Sequence, residues 1–224
     1  MKKRISILLP TRNRFEHCSK FIDSAISLAS EPKNIEILLK IDNDDNDTKD
    51  NLDKFPYQEN LIFVFSDRMN GYDSLQIFMN MLYEKSSGDW LYLAGDDSYI
   101  LTDKWDLLFY QYDGQFVCLN HLPTFPNGET FNFPIISRKI AEVIGHVTQA
   151  VFFDSYLWRL TKEFNLIRYI PLKIEHLHDR LKDNLNKNKL DLYNEWRREK
   201  TWDLRDSFDE LEKDKQKIKL YLQK

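Results

Sequence analysis

The chain has 224 residues, of which 42% are hydrophobic and 30% are charged, with a formal net charge of −4. This length and hydrophobic content suffice for one sizeable core and exclude a largely disordered chain. The negative balance argues against a general duplex-DNA-binding protein, whose affinity would rest on clustered Lys and Arg side chains. We therefore expect a folded domain without general nucleic-acid binding.

The N-terminal sequence and the spacing of the cysteines help to predict where in the cell the protein lies. An apolar run from Ile5 to Leu9 follows basic residues as in a signal peptide, but Pro10 and Arg12 end that run too soon. Cys18 and Cys118 are far apart and lack CxxC spacing, so neither a disulfide framework nor a zinc cluster is expected. No stretch approaches the roughly 20 apolar residues of a membrane span. These features predict a cytoplasmic protein.

Strand-like and helix-like segments alternate through the first half of the chain. Short apolar, β-branched runs predict strands, and apolar residues at helical spacing predict helices. The expected elements are a strand at 5–9, a helix at 15–29, strands at 35–41 and 61–65, a helix at 74–83 and a strand at 90–93. This rhythm predicts an α/β fold with a mostly parallel central sheet flanked by helices.

The pattern changes after residue 97. The expected features are a capped helix start at 102–105, a strand near 116–119, a Pro- and Asn-rich loop at 123–134, and helices at 137–144 and 154–164. The last forty or so residues are rich in charge, and three apolar side chains there, Leu204, Phe208 and Leu211, stand at helical spacing. We expect one domain over residues 1–182 and a charged helical extension over residues 183–224 that packs on it.

Short motifs that contain charged residues follow three of the predicted strands. They are Pro10, Thr11, Arg12 and Arg14 with the first strand, Asp42 to Asp47 after the second, and Gly95, Asp96 and Asp97 after the strand at 90–93. Because the carboxyl ends of parallel strands share one edge of a sheet, these acids and arginines should converge in one crevice. Arginines beside acids suit a nucleotide diphosphate that is held partly by guanidinium groups and partly by a divalent cation.

Each acidic motif has a simpler interpretation. Gly95 to Asp97 could be a solvated turn, because Gly-Asp pairs are common in loops. Asp42 to Asp47 could be a soluble turn or a calcium loop, although it lacks the glycine and glutamate positions of an EF-hand. The convergence of the motifs, rather than any one of them, is what favours a metal and phosphate site.

The order and spacing of these motifs resemble the inverting nucleotide-sugar glycosyltransferases of family 2, which have the GT-A fold. The resemblance rests on the series from Ile5 to Arg14, on Asp42, and on Gly88-Asp89 leading to Gly95-Asp96-Asp97. It implies a nucleotide-sugar half over residues 1–100 and an acceptor half over residues 101–182. The QxxRW signature of processive synthases is absent, which favours an enzyme that adds a single sugar.

The resemblance also implies a role for each residue at the strand ends. Pro10, Thr11 and Arg12 would line the nucleoside pocket with Arg14 beside them, Asp42 would hydrogen-bond the base, Asp96 would face the ribose or sugar, and Asp97 would bind Mn²⁺ or Mg²⁺. That cation would bridge the two phosphates. Gly95 departs from the family pattern, in which an acid often stands at that position.

The second half of the chain must supply a base and complete the metal site. Asp154 follows an apolar run and opens a predicted helix, which resembles the acidic pair of the family's acceptor helix with Phe153 in place of the first acid. Asp154 could instead only cap that helix. His176 and His178 lie on one side of an extended segment, and either could bind metal opposite Asp97, with His178 favoured. Ordinary polar surface is the alternative for both histidines.

Taken with the resemblance, these residues predict a metal-dependent inverting glycosyltransferase. It would move one sugar from a nucleotide-diphosphate sugar, with a UDP-sugar favoured, to a hydroxyl of a glycan or another acceptor. A nucleotidyltransferase could share the sheet and the metal, but the glycine-rich phosphate loop of such enzymes is missing. A catalytically degenerate sugar- or nucleotide-binding protein of the same fold is the other alternative.

The charged C-terminal extension has a Lys-rich end, from Lys213 to Lys219. A basic helix of this kind is a candidate for peripheral contact with an anionic membrane. The ordinary alternative is a solvated helix face with one apolar stripe that packs on the domain.

Overall fold

The computed structural model describes residues 4–121, 132–177 and 208–224. The strands are β1 (Ile5–Thr11), β2 (Ile35–Asp42), β3 (Leu61–Ser66), β4 (Trp90–Leu93), β5 (Ser98–Ile100), β6 (Cys118–His121), β7 (Ile135–Ser137), β8 (Ile167–Ile170) and β9 (Ile174–His176). The α-helices are α1 (Phe15–Ser27), α2 (Asn46–Lys49), α3 (Leu75–Lys85), α4 (Arg138–Ile144), α5 (Phe153–Lys162) and α6 (Phe208–Leu222). Segments of 3₁₀ helix lie at Pro32–Asn34, Leu52–Lys54, Gln58–Asn60, Gly71–Ser74 and Trp105–Tyr112.

Seven strands form one mixed sheet in the order β3-β2-β1-β4-β7-β6-β8. The four strands from the first half pair in parallel, with Ile5 of β1 opposite Ile35 of β2 and Trp90 of β4. β7 runs antiparallel to both β4 and β6, and β6 pairs in parallel with β8. A second sheet consists of β5 and β9. The predicted α/β fold, with a mostly parallel sheet in its first half, is confirmed.

The apolar runs of β1 and β2 are buried because helices cover both faces of the sheet. Side chains of β1 alternate between the faces: Ile5 and Ile7 pack with α1, and Leu8 packs with the helices of the opposite face. The chain enters β4 through Gly88, where a Cβ atom would lie 2.6 Å from the Ser6 amide nitrogen. Only glycine allows this close approach of the two strands.

Several elements of the second half differ from expectation. The helix start expected at 102–105 is a 3₁₀ segment that begins at Trp105, after Lys104 adopts a left-handed φ of 53°. Trp105 is fully buried, and its Nε1 donates a hydrogen bond of 2.8 Å to the carbonyl of Ala25. Strands β5, β7 and β8 were not expected, because three or four residues give no measurable periodicity.

The C-terminal helix α6 packs on α4 and α5. Its inward side buries Leu211, Asp214 and Ile218, whereas Leu220 is exposed. The expected boundary after residue 182 and the apolar Leu204 lie outside the described residues. Within the described ranges, no helix combines the length and the apolar character that crossing a membrane requires.

Candidate functional site

The carboxyl ends of β1, β2 and β4 lie along one edge of the sheet, as their parallel pairing requires. Thr11 is the last residue of β1, and Asp42 is the last residue of β2. Asp96 and Asp97 follow β4 after a two-residue connection. The structure therefore brings the residues at these three strand ends into one polar cluster, which we call the donor edge. Its members are Thr11, Arg12, Arg14, Asp42, Asp96 and Asp97.

Asp96 is tied to the loop that follows β1. Its carboxylate accepts a hydrogen bond of 2.8 Å from the Thr11 hydroxyl and one of 3.0 Å from Arg14. Burial raises the pKa of Asp96, and the charge of Arg14 and the Thr11 hydroxyl oppose that rise only in part. Because the Arg14 side chain is 41% exposed, its guanidinium group lies at the surface of the donor edge.

Asp42 is the centre of a second set of charged contacts. One carboxylate oxygen accepts a hydrogen bond of 2.8 Å from Arg12, and the other pairs with Lys40. Lys40 is only 2% exposed and lies 3.7 Å from the ring centre of Phe78. Arg12 also pairs with Asp44 and lowers the pKa of that exposed carboxyl group. The position of the Asp42 carboxylate is therefore set by two cations.

Sequence reasoning missed Lys40 as a partner of Asp42. The signal was present, because Lys40 is a basic residue that directly follows the apolar run Ile37-Leu38-Leu39 of β2. Pro10, expected in the nucleoside pocket, lies in β1 opposite Lys40 in the strand register.

The remaining acids of the loop after β2 shape the backbone. Asp45 caps α2 by accepting a hydrogen bond from the Thr48 amide, and its other oxygen accepts one from the Asn13 amide. Asp47 accepts a hydrogen bond from the Phe15 amide at 3.1 Å. These bonds hold the loop that carries Arg12 and Arg14 against the loop after β2.

Asp97 lies beside His176. The two residues come together because β5 pairs antiparallel with β9, with Ser98 opposite His176 in the register. The His176 Nε2 atom lies 3.5 Å from an Asp97 carboxylate oxygen, and the Leu177 amide donates to the Asp97 carbonyl. Burial raises the pKa of Asp97, but His176, the charge of Arg14 and a backbone hydrogen bond together outweigh burial and lower that pKa. The preferred candidate, His178, lies outside the described residues.

A carboxylate and an imidazole at this distance suit Mn²⁺, which accepts oxygen and nitrogen ligands. In the part of the chain that the structure describes, no group of three His, Cys, Asp or Glu side chains is arranged to hold a metal. Asp97 and His176 could therefore hold a cation that takes its remaining ligands from phosphate oxygens and water.

Asp154 lies in the first turn of α5 and is partly buried. This helix begins at Phe153 with Phe152 in the cap position, and no side chain caps it. The Asp154 carboxylate accepts a hydrogen bond of 2.6 Å from the adjacent Ser155 amide. Asp154 therefore does not occupy the cap position of this helix, which starts one residue earlier than expected, but its carboxylate does bond one amide of the first turn.

Hydrogen bonds hold the chain both just before α5 and within its first turns. The segment before it is held by Asn80 of α3, which donates to the Thr148 carbonyl and accepts from the Val147 amide. One turn into α5, the Tyr156 hydroxyl donates to the carboxylate of Asp214 on α6. These contacts fix the backbone that carries Asp154.

No protein-family model matches the chain, and no curated protein matches it in sequence. Solved structures match its fold. S. aureus TarS 1-349 in complex with UDP matches with a TM-score of 0.59 and 12% identity, over 74% of this chain and 57% of that one. The mannosyltransferase PcManGT from Pyrobaculum calidifontis, in complex with GDP-Man and Mn²⁺, matches with a TM-score of 0.57 and 14% identity, over 76% and 55%.

These likenesses show that the chain has the fold of the GT-A glycosyltransferases. At this level of identity they show the fold alone. The chain spans 57% of the TarS structure and 55% of the mannosyltransferase structure.

Proposed function

We propose that this protein is a metal-dependent inverting glycosyltransferase that transfers one sugar from a nucleotide-diphosphate sugar to an acceptor hydroxyl. The observation that carries the proposal is the donor edge, where Thr11, Arg14 and Asp96 adjoin the pair formed by Asp97 and His176. The fold supports it, since one structure of that fold holds UDP and another holds GDP-Man with Mn²⁺.

The donor would bind with its nucleoside along the loop after β1. Arg12 holds Asp42 at the end of β2, where the carboxylate can accept a hydrogen bond from the N–H group of a uracil or guanine base. We favour UDP among the nucleotides. Arg14 is exposed enough to meet a phosphate, and guanidinium groups bind phosphate oxygens with two parallel hydrogen bonds.

Asp97 and His176 would hold Mn²⁺ or Mg²⁺ against the diphosphate. A divalent cation bound there would neutralise the charge that develops on the leaving nucleoside diphosphate. A carboxylate binds a metal in its ionised form, which is the ordinary form of an Asp side chain at neutral pH, and an imidazole binds through a neutral ring nitrogen.

Asp154 would act as the general base. Its carboxylate would take the proton of the acceptor hydroxyl while that oxygen bonds to the anomeric carbon and the carbon–oxygen bond to the diphosphate breaks. Attack from the face opposite the leaving group inverts the anomeric configuration. The anchored backbone of α5 supports this role, because a base must be held within hydrogen-bond reach of the hydroxyl.

Thermal unfolding with UDP, GDP and their sugars, with and without Mn²⁺, tests donor binding. A ligand at a hundred times its dissociation constant should add about 2.7 kcal/mol to the free energy of unfolding. The bound donor is then incubated with glycan acceptors, and the products are identified. Release of nucleoside diphosphate with glycoside formation supports a transferase, and binding without turnover indicates a degenerate binding protein. A separate incubation with a nucleoside triphosphate and a sugar 1-phosphate tests the other class, because pyrophosphate release there indicates a nucleotidyltransferase.

A further inference from the structure

We propose that Phe133 is a positioning residue of the donor edge, whose ring sets the imidazole of His176 against Asp97. This inference rests on the proposed function, because it concerns how the chain would hold the donor's metal ion. It assigns a role to a residue that carries no polar group and that the sequence motifs do not point to.

The backbone places Phe133 over the end of β4. The carbonyl of Pro134 accepts a hydrogen bond of 3.0 Å from the Leu93 amide, and β7 continues antiparallel to β4 from Ile135. Phe133 itself has a φ of 50°, in the left-handed region that bulky residues rarely adopt. Such conformations persist only where the surrounding structure enforces them, and they cluster at ligand-binding sites.

The Phe133 ring contacts the donor edge on two sides. Its centre lies 4.9 Å from that of the His176 ring, with an angle of 83° between the planes, which is the favoured edge-to-face arrangement of aromatic pairs. A Cβ atom at position 95 would lie 2.8 Å from the Phe133 ring and 2.9 Å from the Asp97 carboxylate. Gly95 and Phe133 are therefore complementary in shape.

This complementarity explains the departure of Gly95 from the family pattern. Any side chain at position 95 would push Phe133 away from His176 or displace the Asp97 carboxylate. The His176 side chain is 36% exposed, and the edge-to-face contact with Phe133 restricts the orientation of its ring. Groups that orient a metal ligand typically change metal affinity by 10- to 100-fold when they are removed.

Calorimetry of Mn²⁺ binding in the presence of UDP tests the proposal. Phe133→Leu keeps an apolar side chain but removes the ring edge, so the affinity for Mn²⁺ should fall about tenfold, whereas UDP affinity in chelator should not change. Phe133→Tyr keeps the ring and should retain wild-type affinity. A Phe133→Leu variant with wild-type Mn²⁺ affinity would overturn the proposal.

A double-mutant cycle shows whether Phe133 acts through His176. His176→Ala should lower Mn²⁺ affinity, and adding Phe133→Leu to it should cause no further loss. Independent, additive losses would show that Phe133 does not act through the imidazole and would overturn the inference. If the wild-type chain shows no Mn²⁺-dependent UDP binding, the proposed function fails as well, and this outcome is distinct from the other two.

The Gly95→Ala substitution tests whether the Phe133 ring orients His176 or only fills space beside Gly95. The added methyl group should lower both the melting temperature and the Mn²⁺ affinity by crowding the Phe133 ring. Combining Gly95→Ala with Phe133→Ala removes the contact with the ring but leaves the added methyl group 2.9 Å from the Asp97 carboxylate. The melting temperature should therefore recover in part, whereas Mn²⁺ affinity should stay low. Recovery of both quantities would show that the ring only fills space.

Discussion

Both the donor edge and the contact between α5 and α6 contain buried carboxylates. The two regions differ in how far these carboxylates and their partners are exposed to solvent. At the donor edge, Asp42 and Asp96 are paired with Arg12 and Arg14, whose side chains are partly exposed. Between the helices, Asp214 is fully buried. At the donor edge, the arginine side chains lie at a surface where a ligand can bind them. Between the helices, the Asp214 carboxylate is inaccessible to a ligand.

The partners of Asp214 come from three segments. Its carboxylate accepts hydrogen bonds from Tyr156 of α5, from Lys217 of its own helix, and from His146 between α4 and α5. Lys217 also donates to the Ile144 carbonyl at the end of α4. These bonds connect the C-terminal helix to the helix that carries Asp154. The comparison predicts that changes at Asp214 affect stability and that changes at the donor edge affect binding. Asp42 carries an added cost in stability, because its partner Lys40 is buried.

The largest effect is expected for Asp214→Ala. The substitution leaves the Tyr156 hydroxyl and the His146 ring without their carboxylate partner in a buried place, which should cost about 3 kcal/mol of unfolding free energy. Urea unfolding measures this loss. Lys213→Ala, which breaks the exposed pair with Glu210 on the same helix, is the matched control and should have no measurable effect. Equal losses in the two variants would contradict the buried role of Asp214.

Asp154→Asn should lower transfer by roughly 10²-fold or more, because the amide cannot accept the proton of the acceptor hydroxyl. The melting temperature and the donor affinity should remain near those of the wild-type chain. Kinetic assays with saturating donor measure the change in transfer. Glu163→Gln, at the other end of α5, is the control and should keep full activity. Full activity of Asp154→Asn would direct the search for the base to Glu175, to the acids of the loop after β2, and to Asp179, which lies outside the described residues.

Asp42→Asn tests the donor edge, and we expect nucleotide affinity to fall about tenfold through the loss of a charged hydrogen-bond acceptor. Its dependence on Mn²⁺ should not change, because Asp42 contacts Arg12 and Lys40 rather than Asp97. Titration of UDP by calorimetry, with and without Mn²⁺, measures both quantities. Unchanged affinity would remove Asp42 from the nucleotide site and leave it as an anchor for Arg12.

The smallest expected effect is a change in the free energy of unfolding at low pH. Burial opposes the charge on Asp214, but His146, Lys217 and Tyr156 outweigh burial and hold its pKa below the usual value. A carboxyl group whose folded pKa is lowered stabilises the protein above its unfolded pKa of about 3.9, and this stabilisation is lost as the pH falls through the folded pKa. The stability difference between the wild-type chain and Asp214→Asn should shrink below about pH 4. A difference that grows on acidification would contradict this assignment.

The sequence predicted the parallel half of the fold and the residues of the donor edge. The apolar runs of β1, β2 and β4 are long enough, and buried enough, to give a clear strand signal. Parallel pairing then brings the strand ends to one edge whatever the details of packing. That is why Thr11, Asp42 and Asp96 could be placed together before any contact between them was known.

Contacts between distant segments were decided only by the tertiary structure. Lys40, Phe133 and Asp214 lie far in sequence from some or all of the groups they contact, and no periodicity marks such pairs. The sequence offered His176 as one of two candidate partners of Asp97, but the choice depends on the pairing of β5 with β9, and strands of three residues carry no pattern that predicts such pairing. Local patterns reflect which face of an element is buried, whereas the partner across the core depends on how all the elements pack together.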